Sequence, residues 1–467
     1  MMWRGLMSMV CVVVAVPASG RRPPGAAIAP DSEIREMLVQ RIDIQRQGVG
    51  IVVGIVEPAG RRVVAYGRLD TEDPRPLNGD TVFEIGSVTK VFTSLLLADA
   101  VQRGDVTLAD PVQKYLPESA KMPTRGGREI TLQDLATHTS GLPRLPSNMS
   151  PKDPANPYAD YTVGQLYDFL SGYTLTRDIG AQYEYSNLGG GLLGHVLGRR
   201  AGTDYESLLR SRILVPLGMS STAIALTPAL RPRLAVGHNQ NLDAVANWDG
   251  GALAGAGAVR STVNDMLTFV AANLGYVQSP LAPAMADMRA TRRPTGALPQ
   301  TDVALGWHIT TRGDLEIVWH NGGTGGYRSF VGFNPRARAG VVVLSNTSTR
   351  VGVDDIGMHL LDPTVPLAVL RAPTVHREIA VEPEVFDRYV GRYAFSPEVF
   401  LTITREAGHF FLQLTGQPRA ELFAESERDY FLKVVDAQIS FEIDADGRVT
   451  AAVLHQAGRD QRATRVP

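Results

Sequence analysis

The stretch Phe83-Glu84-Ile85-Gly86-Ser87-Val88-Thr89-Lys90 decides the reading of this chain. A lysine follows a serine by three positions. An apolar, helix-period run begins at once: Val88, Val91, Phe92, Leu95, Leu96, Val101. A helix opened by Ser87 puts Ser87 and Lys90 on one face, their Cβ atoms roughly 5–6 Å apart. The serine then sits at the positive end of the helix dipole, beside an amine able to take its proton. That is the layout of an acylating serine. The simplest alternative is an N-cap serine followed by a solvated lysine. Two details favour the chemical reading. The chain has only five lysines (Lys90, Lys114, Lys121, Lys152, Lys433), and only Lys90 has a serine three before it. The apolar neighbours of Lys90 also imply burial, which lowers a lysine pKa from about 10.4 and makes the amine a usable base.

Two further elements follow. Tyr183-Glu184-Tyr185-Ser186-Asn187 precedes a Gly-rich, helix-like segment over residues 188–202. Trp319-His320-Asn321-Gly322-Gly323-Thr324-Gly325-Gly326-Tyr327 comes later. Each triplet alone is common: a half-buried aromatic for one, a hairpin turn for the other. The ordered set Ser-x-x-Lys, Tyr-x-Asn, His-x-Gly is rare.

On these residues the chain resembles the penicillin-recognising serine hydrolases: class C β-lactamases, D-Ala-D-Ala carboxypeptidases, D-aminopeptidases and related esterases. The resemblance spans roughly residues 49–346. It includes Thr137-His138-Thr139-Ser140-Gly141-Leu142-Pro143, Pro216-Leu217-Gly218-Met219, Gly306-Trp307 and Gly332-Phe333-Asn334-Pro335.

The resemblance implies roles. Ser87 is the nucleophile, Lys90 the adjacent base or relay, and Tyr185 the proton shuttle to the leaving group. Asn187 binds the substrate amide and helps hold Lys90. The backbone N–H groups of Ser87 and Gly323 form the oxyanion hole, each such donor being worth roughly 3–4 kcal/mol. His320 and Gly322 complete the substrate-binding set. How Lys90 and Tyr185 divide the proton work is left open. Where β-lactamases usually carry Lys-Thr-Gly, this chain has His320-Asn321-Gly322. A histidine supplies charge only when protonated, with a reference pKa of ~6.5. Thr89 also stands where class C enzymes usually have Ser or Ala. The His-x-Gly form looks more like the peptidase and aminopeptidase members. If His320 faces the substrate carboxylate, its loss should weaken carboxylate-bearing substrates more than neutral esters.

Other chemistries fit less well. There is no Gly-x-Ser-x-Gly elbow, since residue 85 is Ile. No His-Glu-x-x-His occurs and the nine histidines are scattered, so no metal site is expected, nor any cofactor. Asp444-Ala445-Asp446-Gly447 lacks the spacing and closing Glu of a calcium loop and reads as a hairpin turn. The 467 residues are 44% hydrophobic and 20% charged with net charge -2, so neither nucleic acid nor an anionic membrane surface is an expected partner. The expected partner is a small-molecule or peptidoglycan-peptide substrate.

Residues 1–20 read as a secretory signal peptide: Arg4, an apolar run over 6–16, then Pro17-Ala18-Ser19-Gly20. The run is too short to span a bilayer. The single cysteine, Cys11, lies inside it, with Val10 where a lipoprotein needs a small residue. A secreted or periplasmic protein without disulfides is expected.

The expected fold is an α/β sandwich of the β-lactamase/transpeptidase-like type over residues 31–362. Residues 31–47 read as an amphipathic helix. Strands at 49–56, 62–66, 315–320, 327–333 and 339–344 share an antiparallel sheet flanked by helices, with a helical subdomain between and residues 143–160 as an extended loop beside the site. Residues 363–380 read as a linker. Short β-type runs at 389–395, 399–404, 410–415, 420–424, 430–435, 438–443 and 449–455 then predict a small lipocalin-like β-barrel over 381–467.

On substrate, three readings remain: D-Ala-type peptides or β-lactams hydrolysed through an acyl-enzyme; a β-lactamase proper or small-ester esterase; or, in another class, a slowly deacylating penicillin-binding sensor.

Overall fold

The computed structural model describes residues 28–370, 376–417, 419–433, 437–456 and 459–466. The signal-peptide reading of residues 1–20 therefore lies outside the described residues. The chain divides into two compact units, one ending at Leu370 and one beginning at Arg371.

The larger unit is built on an eight-stranded antiparallel sheet. Its order is Gly60–Gly67, Gly50–Glu57, Ala339–Ser345, Arg328–Asn334, Leu315–Gly323, His308–Arg312, Thr301–Val303, Arg293–Pro294. The first and last parts of the unit meet as neighbouring strands, where Ile51 pairs with Ser345 and Val56 with Gly340. Alternation along Gly50–Glu57 sends side chains to both faces. Ile51, Val53 and Ile55 pack with Phe330, Val341 and Val343 under the helices Asp31–Val39 and Asp354–Leu361. Val52 and Val56 join Phe92, Phe269 and Trp307 in the main core on the opposite face. Helix covers both faces, so these strands read as near-continuous apolar runs.

Two expectations are refined. The helix read over 31–47 is an α-helix only to Val39, then one π-helical turn, Gln40–Ile44. Ser87 does not open its helix. It lies in a 3-10 turn, Gly86–Val88, and the α-helix is Thr89–Gln102. That helix is buried from Thr89 through Ala100, so it is a central helix with no solvent face.

The second unit is a closed antiparallel barrel of eight strands from Gly391 to Val466. Its interior is filled by aromatic rings. Phe386, on a short helix, stacks on Phe410 at 3.8 Å, and Tyr389 stacks on Phe441 at 4.1 Å. The eighth strand, Arg459–Val466, pairs with Val449–Gln456 on one side and Gly391–Ala394 on the other, closing the ring.

Candidate active site

Ser87 is held by backbone packing on two sides. Val82–Glu84 pairs with Arg260–Thr262 and aims the chain into the Gly86–Val88 turn. Gly86 has φ +50, and a Cβ there would lie 2.6 Å from the Gly323 nitrogen. A Cβ on Gly322 would lie 2.1 Å from the Ile85 carbonyl oxygen and 3.0 Å from the Ser87 nitrogen. Only glycines allow the strand Leu315–Gly323 to press this closely on the turn. The contact brings the backbone at Ser87 and at Gly323 close together, the approach that two backbone donors to one oxyanion would need. Ser329 Oγ donates to Ile85 O at 2.8 Å and fixes the same contact.

Lys90 is 2% exposed. Its Nζ lies 3.1 Å from Ser87 Oγ, 2.9 Å from Asn187 Oδ1 and 2.7 Å from Ala256 O. Two of these partners can only accept a hydrogen bond. A neutral amine spends its two N–H bonds on them and leaves its lone pair for the Ser87 hydroxyl. Burial, reinforced by the charge of Arg144, pushes the Lys90 amine well below its usual pKa, which favours that neutral form. Asn187 is oriented by donating from Nδ2 to Tyr158 OH at 3.0 Å. It begins the helix Asn187–Ala201, capped by Ser186, whose Oγ accepts from Gly189 N at 2.8 Å.

Tyr185 lies one residue before that cap. Lys90 Nζ stands 4.7 Å from its ring centre, and the His138 ring stacks on it at 4.5 Å. His138 Nδ1 accepts from Ser186 N at 3.1 Å, so the segment Thr137–Pro143 is the cradle that holds Tyr185 and the cap. Burial pushes the Tyr185 phenol above its usual pKa, against a hydrogen bond from Ser87 that favours the phenolate. The two shifts favour a protonated Tyr185 and a neutral Lys90.

Ser87, Lys90, Tyr185 and Asn187 are brought together, with Gly322 and Gly323 beside them. His320 is placed differently. It is 2% exposed, with Nδ1 2.6 Å from Asn321 O and its ring 5.2 Å from that of His308. Burial, with His308 and Lys90 nearby, drives its pKa well below 6.5. Strand alternation explains this: His320 points inward while Asn321 faces the cleft. A buried His320 held towards its neutral form is placed to act as a polar neighbour of Tyr185, 6.3 Å between rings, rather than as a fixed charge.

Two cavities meet at Ser87 and Gly323. One is walled by Tyr158, Asn187, Trp248, Leu253, Ala256 and Thr324. The other is walled by Arg144, Tyr183, Tyr185, Asn321, Arg328 and Asp354, among others. Asn321 Nδ2 donates to Asp354, whose carboxyl is raised to about 6 by burial. Arg144, Trp248, Arg328 and Asp354 were not singled out in the sequence. No motif marks them, because loops, a strand end and a helix start bring them in. No group of residues fit to hold a metal ion occurs among the described residues.

A family profile described as Beta-lactamase matches residues 34–361. Residues 376–465 match a family described as Domain of unknown function (DUF3471). The D-alanyl-D-alanine-carboxypeptidase/endopeptidase AmpH of Escherichia coli (strain K12) is 30% identical over 355 residues, 70% of this chain and 88% of that protein. Among solved structures, a class C beta lactamase from Rhodobacter sphaeroides superposes with TM-score 0.61 at 27% identity, over 72% of this chain and 99% of its own. A beta-lactamase/D-alanine carboxypeptidase from Yersinia pestis, complexed with citrate, gives TM-score 0.62 at 26% identity over the same shares.

Proposed function

The chain belongs to the Beta-lactamase family and is a serine hydrolase; from that premise we propose that it is exported and cleaves amide or ester bonds through an acyl-enzyme on Ser87. The observation that carries this reading is the Lys90 amine, buried, flanked by two pure acceptors and 3.1 Å from Ser87 Oγ. The division of proton work follows from it. The Ser87 proton passes to Lys90 as Oγ attacks the carbonyl carbon, and the oxyanion is met by the N–H groups of Ser87 and Gly323. On collapse the carbonyl carbon–leaving group bond breaks, and Tyr185 gives its proton to the departing nitrogen or oxygen. The Lys90 ammonium then reprotonates the Tyr185 phenolate. Water repeats the sequence on the acyl-enzyme, which restores Ser87.

Peptides of the D-Ala type are the favoured substrates, ahead of β-lactams and small esters. Arg328 and Arg350 line the cavity on the Tyr185 side. They offer positive charge to a leaving group that bears a carboxylate. The D-alanyl-D-alanine-carboxypeptidase name of the Escherichia coli relative points the same way. Export rests on the signal-peptide pattern of residues 1–20. Among the described residues no helix is long and apolar enough to cross a membrane. The barrel, filled with its own aromatic rings, is assigned a structural role.

The test is intact-mass spectrometry of the protein mixed with a penicillin, followed over time, beside turnover of a D-Ala-D-Ala peptide. The expected result is a covalent adduct and peptide cleavage, both lost in Ser87→Ala. An adduct that clears quickly would make β-lactams the substrate. One that persists without peptide cleavage would make the protein a sensor. Neither adduct nor cleavage would overturn the reading.

A further inference from the structure

A fixed positive charge stands beside the Tyr185 ring. His320 stands where the family usually keeps a lysine, and it is buried with its pKa held well below 6.5. Arg144 follows the cradle segment Thr137–Pro143 and holds its guanidinium carbon 5.2 Å from the centre of the Tyr185 ring. It lines the same cavity as Ser87, Tyr185 and Asn321. Among the described residues it forms no ion pair with a carboxylate. Its carbonyl accepts from Asn187 N at 2.9 Å and Leu188 N at 3.1 Å. Arg144 is therefore tied to the start of the helix that follows Tyr185.

The other groups around Tyr185 do not supply a fixed charge. Lys90 (4.7 Å from the ring centre), His138 (4.5 Å between rings) and His320 (6.3 Å between rings) are buried bases pushed towards neutrality. His308 behind them is held down to about 4. Tyr158 and Tyr183 are phenols with raised pKa, and Ser87 offers a hydroxyl. Arg144 is the one permanently charged group beside the ring among these neighbours, and Lys90 joins it as a cation only after taking the Ser87 proton. A cation over a phenol ring is attracted to the neutral ring and more strongly to the phenolate, whose charge spreads into the ring.

We propose that Arg144 is a positioning residue that stabilises the negative charge developing on Tyr185 as its proton passes to the leaving group. This rests on the acyl-enzyme reading above. In the step concerned the Tyr185 O–H bond breaks, an N–H or O–H bond forms on the leaving group, and the Lys90 ammonium later returns the proton. Burial opposes the phenolate, and the Ser87 hydrogen bond and Arg144 each reduce that opposition without cancelling it. The guanidinium is itself exposed, so solvent screens part of its effect in the free enzyme. A bound substrate excludes that solvent when the proton moves.

The need for this acid depends on the leaving group. A nitrophenolate departs without a proton, whereas an alkoxide does not. The experiment compares esters of one neutral acyl group with p-nitrophenol, trifluoroethanol and ethanol, using wild type, Ser87→Ala, Arg144→Met and Arg144→Lys. Arg144→Met should lower kcat/KM for the ethyl ester about tenfold, one pK unit of phenolate stabilisation, and leave the p-nitrophenyl ester within about twofold. Arg144→Lys should recover most of the loss. Circular dichroism and thermal melting confirm that each variant is folded. Equal losses across all leaving groups, or a lysine variant no better than methionine, would overturn the proposal. So would a loss confined to KM for carboxylate-bearing peptides, which would make Arg144 a substrate anchor. Turnover that survives Ser87→Ala would bring down the acyl-enzyme reading itself. Ser87-dependent turnover with a flat leaving-group response would remove only the role of Arg144.

Discussion

The Lys90 amine lies 2.9 Å from the Asn187 amide oxygen, although 97 residues separate them. One hydrogen bond thus joins the central helix to the helix that follows Tyr185. In the neutral amine this bond uses one N–H, the Ala256 carbonyl uses the other, and the lone pair is left for Ser87, 3.1 Å away.

Replacing Lys90 by Met should therefore remove the base without changing the shape of the core. General-base catalysis is worth about 10²–10⁴-fold, so acylation should fall by roughly a thousandfold. The stability signature is separate. The folded pKa of Lys90 is depressed and the unfolded value is about 10.4, so between the two the unfolded chain binds more protons. Stability of the wild type relative to Lys90→Met should rise as pH climbs through that window. Paired melting curves between pH 7 and 10 measure it. A constant difference would mean that the amine is charged in the folded protein.

Gly322 carries the closest backbone approach in the site. In Gly322→Ala the new methyl would meet the Ile85 carbonyl oxygen at 2.1 Å and the Ser87 nitrogen at 3.0 Å, so strand and turn must separate. Loss of one oxyanion donor costs about 10²–10³ in rate, and at least that loss in kcat is expected. KM for a neutral ester should change far less. A wild-type kcat would show that the oxyanion hole lies elsewhere.

His138, His308 and His320 are all buried, and burial lowers all three pKa values, that of His308 to about 4. In the unfolded chain each titrates near 6.5, so below that pH the unfolded state takes up protons first. Stability contributed by their neutral forms should be intact above pH ~6.5 and lost as pH falls towards about 4. His320→Gln should flatten part of this acid loss. It should also lower kcat/KM for a carboxylate-bearing peptide and a neutral ester by the same factor. A selective loss on the carboxylate would restore His320 to the substrate wall.

What the sequence made legible follows period and motif. Strands 50–57, 315–323, 328–334 and 339–345 are dense in Val, Ile and Phe, and their boundaries were read within a few residues. Ser87, Lys90, Tyr185 and Asn187 could be named as candidates because short motifs carry them, and the structure brings the four together. The eighth barrel strand, Arg459–Val466, was missed because its sequence alternates charges and small polar residues. Within it Ala463 is the one fully buried side chain described, and its pairing rather than its composition makes it a strand. Arg144 and Trp248 were missed for a different reason. They lie on irregular segments, where no period reveals which way a side chain points. The burial of His320 was equally hidden, since a three-residue motif does not say which face of a strand looks at the substrate.

Glu84 and Arg260 form a buried pair, 3% and 4% exposed, directly behind the wall of the first cavity. Trp248 N donates to Glu84 at 2.9 Å, and Arg260 donates to Trp248 O at 2.8 Å, so the pair clamps the backbone of a residue lining the cleft. Burial raises the Glu84 pKa even though Arg260 opposes it. Arg260→Met should strand that carboxylate and cost about 3–5 kcal/mol. The folded pKa of Glu84 is already above its unfolded value of about 4.3, and losing Arg260 lifts it further. Its unfavourable contribution therefore grows as pH rises through the window between the two values. The deficit of Arg260→Met should be larger at pH 8 than at pH 5, and Glu84→Gln added to it should recover much of the loss at pH 8. Denaturant melts of the three variants beside wild type decide it. A deficit independent of pH would assign the loss to the hydrogen bonds around Trp248 and not to a stranded charge.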